Sequence, residues 1–396
     1  MIDLLKLLII FVFILYALRL RWNLGLVMLV ASALLGVTFF MSPREIIQSA
    51  YRGLIEPITF ELIVALTAIM VLENILRKTE TLKRMMDSLN GIIKDSRVIM
   101  ASVPALIGLL PSAGGAVFSA PMVDEAGRHL SISNERKAFI NYWFRHPWEY
   151  IFPLYPGIVL ASAIEGVHVG RLVLTQLPLG LAFIVGGIVW GLRGIKSEKR
   201  STTDKKDYRT LMLSLFPIIA VILLVLVINL QLSVALIIVI GSLFLLHRYS
   251  ISHVWEAIRK GVSINIIWLV TGVMVFKEML KASGAAVSIP IYLSEQGIPV
   301  VALLFLMPFL TGLLTGLTVG FVGITFPMLV NLLGNPLELK LMAFAFGCGY
   351  LGVLLSPVHL CFILTREYFK ADIGRIYRIM IMPSVLILIV AVLMLI

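Results

Sequence analysis

The stretch Val98-Ile-Met-Ala-Ser-Val-Pro-Ala-Leu-Ile-Gly-Leu-Leu-Pro111-Ser-Ala-Gly-Gly115-Ala-Val-Phe-Ser-Ala-Pro-Met-Val123 is apolar along both arms and broken at its centre. Neither arm is long enough to cross a bilayer core of about 30 Å as a helix. Small and helix-breaking residues between two such arms suit a helix–turn–helix that enters and leaves by one face. Irregular backbone at that depth is tolerated only where protein or a polar cavity surrounds it. A second stretch, Ile298–Leu333, is interrupted in the same way by Thr311-Gly-Leu-Leu-Thr-Gly-Leu-Thr-Val-Gly320. Two re-entrant hairpins, 98–127 and 298–333, are therefore expected.

Around them the chain is too apolar for a soluble domain. Of its 396 residues 60% are hydrophobic and 14% charged, against roughly 45–50% and 25% in soluble proteins. Apolar runs fall at Leu4–Leu20, Leu24–Met41, Ile58–Leu76, Phe139–Ile164 and Leu172–Trp190, then at Leu211–Asn229, Ser233–Leu246, Ile264–Leu280, Leu341–Leu364 and Ile379–Ile396. The reading is an all-α polytopic membrane protein with about ten transmembrane helices. The first run is followed by Arg19 and Trp22 without a small-residue cleavage pattern, so it reads as a permanent helix. Cys348 and Cys361 lie in apolar sequence and read as packed thiols.

The chain also repeats itself. Thr67-Ala-Ile-Met-Val-Leu-Glu-Asn-Ile-Leu-Arg-Lys-Thr79 aligns without gaps to Thr271-Gly-Val-Met-Val-Phe-Lys-Glu-Met-Leu-Lys-Ala-Ser283. Gly108-Leu-Leu matches Gly312-Leu-Leu, Pro121-Met-Val matches Pro327-Met-Leu, and Gly53 matches Gly261 at the end of an amphipathic stretch. Tyr155-Pro-Gly-Ile-Val-Leu160 stands where Ser356-Pro-Val-His-Leu-Cys361 does. The halves are 1–192 and 210–396, joined by a polar linker, 193–209. Five true spans per half invert the second copy relative to the first. With the linker in the cytoplasm, most Lys and Arg fall inside. The outer face then receives Arg44, Arg52, Arg171, Lys277, Lys281 and Lys340. The positive-inside rule favours this arrangement, with both termini outside the cytoplasmic membrane. Inverted repeats with interrupted helices are the pattern of a secondary transporter.

The residues that could bind solute cluster at the interruptions. Ser112, Ala113, Gly114 and Gly115 present backbone N–H groups at the start of a new short helix, which suits an anion. Thr315, Gly316 and Thr318 offer hydroxyls and carbonyls, which suit Na⁺. The bland reading is that these small residues only allow close helix packing. A third group is Asn141-Tyr-Trp-Phe-Arg145-His146-Pro147-Trp148-Glu149-Tyr150, where Pro147 and Pro153 predict a broken helix. Ionisable groups there are costly unless they face a partner or a water-filled path. Arg145 and Glu149 read either as a structural i,i+4 ion pair or as an anion site with a proton-carrying Glu149 or His146. Ser356 belongs to the matching, less polar span of the second half, as a possible ion-coupling group. His359 reads equally as packed or functional. Glu73 and Asn74 border a basic loop and read as solvated.

Several functions are excluded or weakened. No Gly-Lys-Ser/Thr phosphate loop is present, so the chain does not itself hydrolyse ATP. No helical two-histidine zinc spacing and no Gly-x-Ser-x-Gly elbow occur, so no metal and no enzyme activity are expected. The net charge of +11 comes without a basic arm, so no nucleic acid is expected.

The segments Gly108–Met122, Asn141–Tyr150 and Gly347–Cys361 together resemble the domain-of-unknown-function family 401, over essentially the whole chain. That family resembles the ion-transporter superfamily, with its divalent-anion/sodium symporters and gluconate-type permeases. The resemblance implies two inverted repeats, two re-entrant hairpins and a dimeric elevator architecture that moves carboxylates. The symporters' Ser-Asn-Thr tip pattern is replaced here by Ser112-Ala113-Gly114 and Thr315-Gly316-Leu317. The function expected is a permease for a small organic anion, coupled to Na⁺ or H⁺ and working as a homodimer in the lipid bilayer. An intramembrane enzyme or a subunit of a larger complex is the alternative.

Overall fold

The structure is a computed structural model that describes residues 2–110, 115–196, 207–285, 296–332 and 337–396. It is all-helical among the described residues. In the first half α1 spans Ile2–Arg19, α2 Leu24–Thr38, α3 Pro43–Ile55, α4 Pro57–Lys78 and α5 Thr81–Ile92. They are followed by α6 Ser96–Gly108, α7 Ala116–Ala126, α8 Asn134–Arg145, α9 Trp148–Ile151, α10 Pro156–Glu165 and α11 Val169–Gly186. In the second half α12 spans Tyr208–Leu226, α13 Leu232–Leu246, α14 Ile251–Gly261, α15 Ile264–Ala282 and α16 Val300–Thr315. The last four are α17 Thr318–Leu329, α18 Leu339–Leu354, α19 Leu360–Phe369 and α20 Ile373–Leu393.

The protein is a multi-pass membrane protein. Among the described residues four helices are long and apolar enough to cross: Pro57–Lys78, Val169–Leu192, Tyr208–Leu226 and Ile373–Leu393. A fifth crossing is possible through α15, from which the amphipathic α14 bends away by 49°. Helices α2 and α13 have 15 residues each, which is about 22 Å of helix. Each is followed by an amphipathic helix, α3 or α14. The start of α3 is fixed by a capping box in which the Ser42 hydroxyl accepts from the Glu45 N–H, and the Glu45 carboxylate accepts from the Ser42 N–H.

One expected run is broken as Pro147 and Pro153 predict, and a second is corrected: Phe139–Ile164 is α8, a short α9 and α10. Pro147 has no N–H and its ring crowds the preceding turn, so α8 stops at Arg145. Pro156 restarts the helix at its first position, where a missing N–H costs nothing. Leu341–Leu364 is likewise divided into α18 and α19 by the segment 355–359, which contains Pro357. Glu73 is also corrected: it is 7% exposed rather than solvated, and Arg77 donates to it at 2.7 Å.

The helices of each half pack into the other. α2 lies on α15 and α4 on α13; α3 lies on α15 and α14 on α4; α7 lies on α19 and α10 on α17. The α2–α15 crossing is so close that a Cβ on Gly272 would stand 2.2 Å from the Gly25 carbonyl oxygen. Such approaches let helix backbones pack where lipid supplies no hydrophobic drive for association. Around this frame, apolar side chains of α1 and α12 such as Val12, Tyr16, Leu213 and Phe216 face outward. At the centre α18 is buried on every side from Met342 to Leu354. The two helix breaks and the hairpin α16–α17 meet beside it.

Candidate functional site

The site is built from three interruptions. Where α8 ends, the His146 N–H closes a tight turn on the Trp143 carbonyl at 3.0 Å, and Pro147 prevents continuation. His146 and Glu149 thereby leave the helical register, and the i,i+4 relation between Arg145 and Glu149 is lost. Where α16 ends, Gly316 adopts φ +63 and turns the chain into α17. A Cβ there would also meet the His359 nitrogen at 2.9 Å, so both conformation and space demand glycine. At the third interruption His359 is the residue preceding α19.

These three meet around a cavity of about 230 Å³, lined among others by Arg145, His146, Glu149, Tyr155, Thr318 and His359. The Thr318 hydroxyl donates to the Glu149 carboxylate. Among the described residues no ion pair within 4.0 Å joins Arg145 to Glu149. The two remain neighbours in one cavity, while the break at Pro147 redirects Glu149 toward the hairpin. The backbone around the cavity is held by tyrosines. Tyr350 donates to the His146 carbonyl at 2.8 Å, Tyr142 to the Leu354 carbonyl at 2.9 Å, and Tyr155 to the Gly108 carbonyl.

The two histidines face each other. His146 Nδ1 lies 2.6 Å from the Tyr142 carbonyl oxygen and His359 Nδ1 lies 2.9 Å from the Gly316 carbonyl oxygen. Their Nε2 atoms are 3.2 Å apart.

Of the residues singled out in the sequence, Arg145, His146, Glu149, Gly316 and Thr318 line the cavity. Asn141 does not. It is fully buried, and its amide donates to the Ala116 carbonyl and the Thr365 hydroxyl, both at 3.1 Å, tying α7 to α19. Thr315 turns its hydroxyl back to the Thr311 carbonyl at 2.7 Å. Ser356 is buried behind the hairpin and accepts from the Val358 N–H at 3.3 Å. Gly115 is buried at the start of α7. Ser112, Ala113 and Gly114 lie outside the described residues. Tyr155 and Cys361 are lining residues that the sequence reading did not select, and His359 is one that it left open between packing and function. Cys348 and Cys361 are both buried, as expected, and Cys361 also lines the cavity.

Fold and cavity define an α-helical, multi-pass membrane protein with a cavity between broken helices that charged side chains line. The chain belongs to the family described as "Protein of unknown function (DUF401)", which matches residues 2–396. No curated protein matches it.

Proposed function

We propose that the protein is a secondary active transporter that moves a small organic anion, a carboxylate, across the cytoplasmic membrane with Na⁺ or H⁺. The observation that carries this reading is the cavity in which Arg145 and Glu149 stand beside the turn of a helical hairpin. A guanidinium offers a carboxylate two parallel hydrogen bonds in a planar fork. A buried cation of this kind is expensive in a membrane protein and is kept where it meets a ligand or partner.

Reciprocal contacts support two inverted repeats, 1–192 and 210–396. The spacing that aligns Thr67 with Thr271 also aligns Val71 with Val275, Gly108 with Gly312 and Arg145 with Gly349. Gly53 packs on the backbone of Val275, and its mate Gly261 packs on Val71. Gly108 packs on the Arg145 carbonyl, and Gly312 packs on the Gly349 carbonyl. Contacts exchanged in this way suit an internal two-fold axis in the membrane plane, with the solute site between the copies. In this reading the hairpins and broken helices travel together as the transport unit. The first helices of each half form a fixed scaffold and the contact of a homodimer. Both termini face outward. The likeness to the ion-transporter superfamily and its elevator motion belongs to the same proposal.

The test is a thermal-shift screen of the purified chain against acetate, succinate, citrate and gluconate, with and without Na⁺, followed by uptake of any binder into liposomes. A true ligand raises the melting temperature in proportion to the logarithm of its concentration over Kd. Arg145→Lys is expected to lose most of that shift while remaining folded. A folded Arg145→Lys protein with unchanged anion affinity and uptake would refute the reading.

A further inference from the structure

We propose that His146, His359 and Cys361 hold a borderline-soft divalent cation of the zinc class in the cavity, with one coordination position open to its interior. The sequence gives no sign of such a site, because the two histidines are 213 residues apart and come from opposite halves of the chain.

The argument begins with hydrogen bonding. A carbonyl oxygen can only accept, so the contacts from His146 Nδ1 to Tyr142 and from His359 Nδ1 to Gly316 put a hydrogen on each Nδ1. In the neutral rings both Nε2 atoms then carry bare lone pairs, and they point at each other across 3.2 Å. Two acceptors do not hold each other at that distance. Something electropositive belongs between them, either a shared proton or a metal ion.

The surroundings favour the metal. The ligand atoms of His146, His359 and Cys361 all lie within 4.8 Å of one another, and all three residues are buried. An ion at the usual Zn–N distance of about 2.0–2.1 Å from each Nε2 would see the two nitrogens at close to a tetrahedral angle. A thiolate about 2.3 Å away completes a common nitrogen and sulfur ligand set after a small side-chain rotation. A proton has no use for a third, soft ligand. The outer contacts fit as well, since ligating imidazoles regularly donate their remaining N–H to a backbone carbonyl, which fixes the ring. Both rings here do so.

Three protein ligands leave the fourth tetrahedral position to the cavity. Arg145 and Glu149 line the same space. With Glu149 ionised, a dication, a thiolate and one guanidinium leave a net positive charge, so the open position suits an anionic oxygen or hydroxide. Binding releases the Cys361 thiol proton to solvent, and no electron is transferred.

The experiment uses the full chain in detergent, stripped with a chelator and titrated with Co²⁺ as a spectroscopic probe. The expected result is one Co²⁺ per chain, with the strong visible bands of a tetrahedral site and a near-ultraviolet thiolate-to-cobalt charge-transfer band. Zn²⁺ should bleach both. Cys361→Ser should lose the charge-transfer band, and His359→Gln should lose the tetrahedral bands. Because either variant can misfold, a second measurement uses Cys348→Ser, where Cys361 is the remaining cysteine: added Zn²⁺ should slow its alkylation at least tenfold. A folded wild-type chain that gives no tetrahedral spectrum, or a charge-transfer band that survives Cys361→Ser, overturns the proposal. Unprotected alkylation in Zn²⁺ overturns it too and leaves the shared proton as the bridge. None of these readouts involves uptake, so failure here is distinct from failure of the transport reading.

Discussion

The hydroxyl of Thr318 donates a hydrogen bond to the carboxylate of Glu149, joining positions 169 residues apart. This bond fastens the hairpin of the second half onto the broken helix of the first. Thr318→Val keeps the shape but leaves the buried carboxylate without that donor, a loss of about 1–3 kcal/mol. Thr318→Ser keeps the donor. Thermal denaturation in detergent should therefore rank wild type and Ser above Val, and equal melting of Ser and Val would sink the assignment.

Gly316→Ala should destabilise the chain more than Gly284→Ala. Both glycines have positive φ, +63 and +74, and an alanine in that conformation costs about 1–2 kcal/mol. Around Gly284 nothing lies within 4 Å of the added methyl group, whereas at Gly316 the methyl group meets the backbone of His359 at 2.9 Å. The excess loss in Gly316→Ala measures how tightly the hairpin turn sits on the start of α19. Equal losses would mean that the contact is slack.

A pH effect is expected at the junction of α4 and α14. Glu256 accepts from Lys260 at 2.7 Å and from Lys78 at 2.9 Å. These bonds hold its carboxyl well below the usual range, at about 2. A carboxyl whose folded value is depressed contributes stability that is complete above its unfolded value, near 4.3, and is lost as pH falls toward the folded one. Amide exchange in α14 should therefore quicken as pH drops from about 4.3 to about 2, once corrected for intrinsic rates. Glu256→Gln should show no such step. A step of equal size in both proteins would place its origin elsewhere.

The topology is checked with thiols. On a Cys348→Ser, Cys361→Ser background, Lys340→Cys should react in whole cells with an impermeant maleimide, and Lys83→Cys should react only after lysis. Both positions are exposed, so a failure to label reflects sidedness. The reverse pattern would invert the chain in the membrane.

Much of this arrangement was legible in the residues. Pro147 announced the end of α8, and Gly316 announced the turn between α16 and α17, because each acts through its own backbone. Arg145, His146 and Glu149 stood out because charge in an apolar run is costly. What could not be read was the partner of each group. Glu149 has Arg145 four residues before it but turns to Thr318, since the break at Pro147 changes its direction. Asn141 looked like a ligand residue and lies off the cavity lining, its amide N–H donating to the Ala116 carbonyl and the Thr365 hydroxyl. His359 and Cys361 stand in a recognisable motif, but it does not name their partners; those come from the packing of one half against the other.

That packing also bears on how the chain is made. Synthesis makes α1 to α11 before α12 exists. Until then α4 has no α13 or α14 to lie on, and the face of α2 around Gly25 waits for Gly272. The first half must rest in the bilayer with lipid filling surfaces shaped for backbone. Folding of this protein is thus expected to end with a late, largely post-insertional closure, in which the helices of the second half displace lipid from those surfaces. A released chain that ends within the linker 193–209 should be inserted yet unfinished, and readily cleaved by proteases that spare the completed molecule.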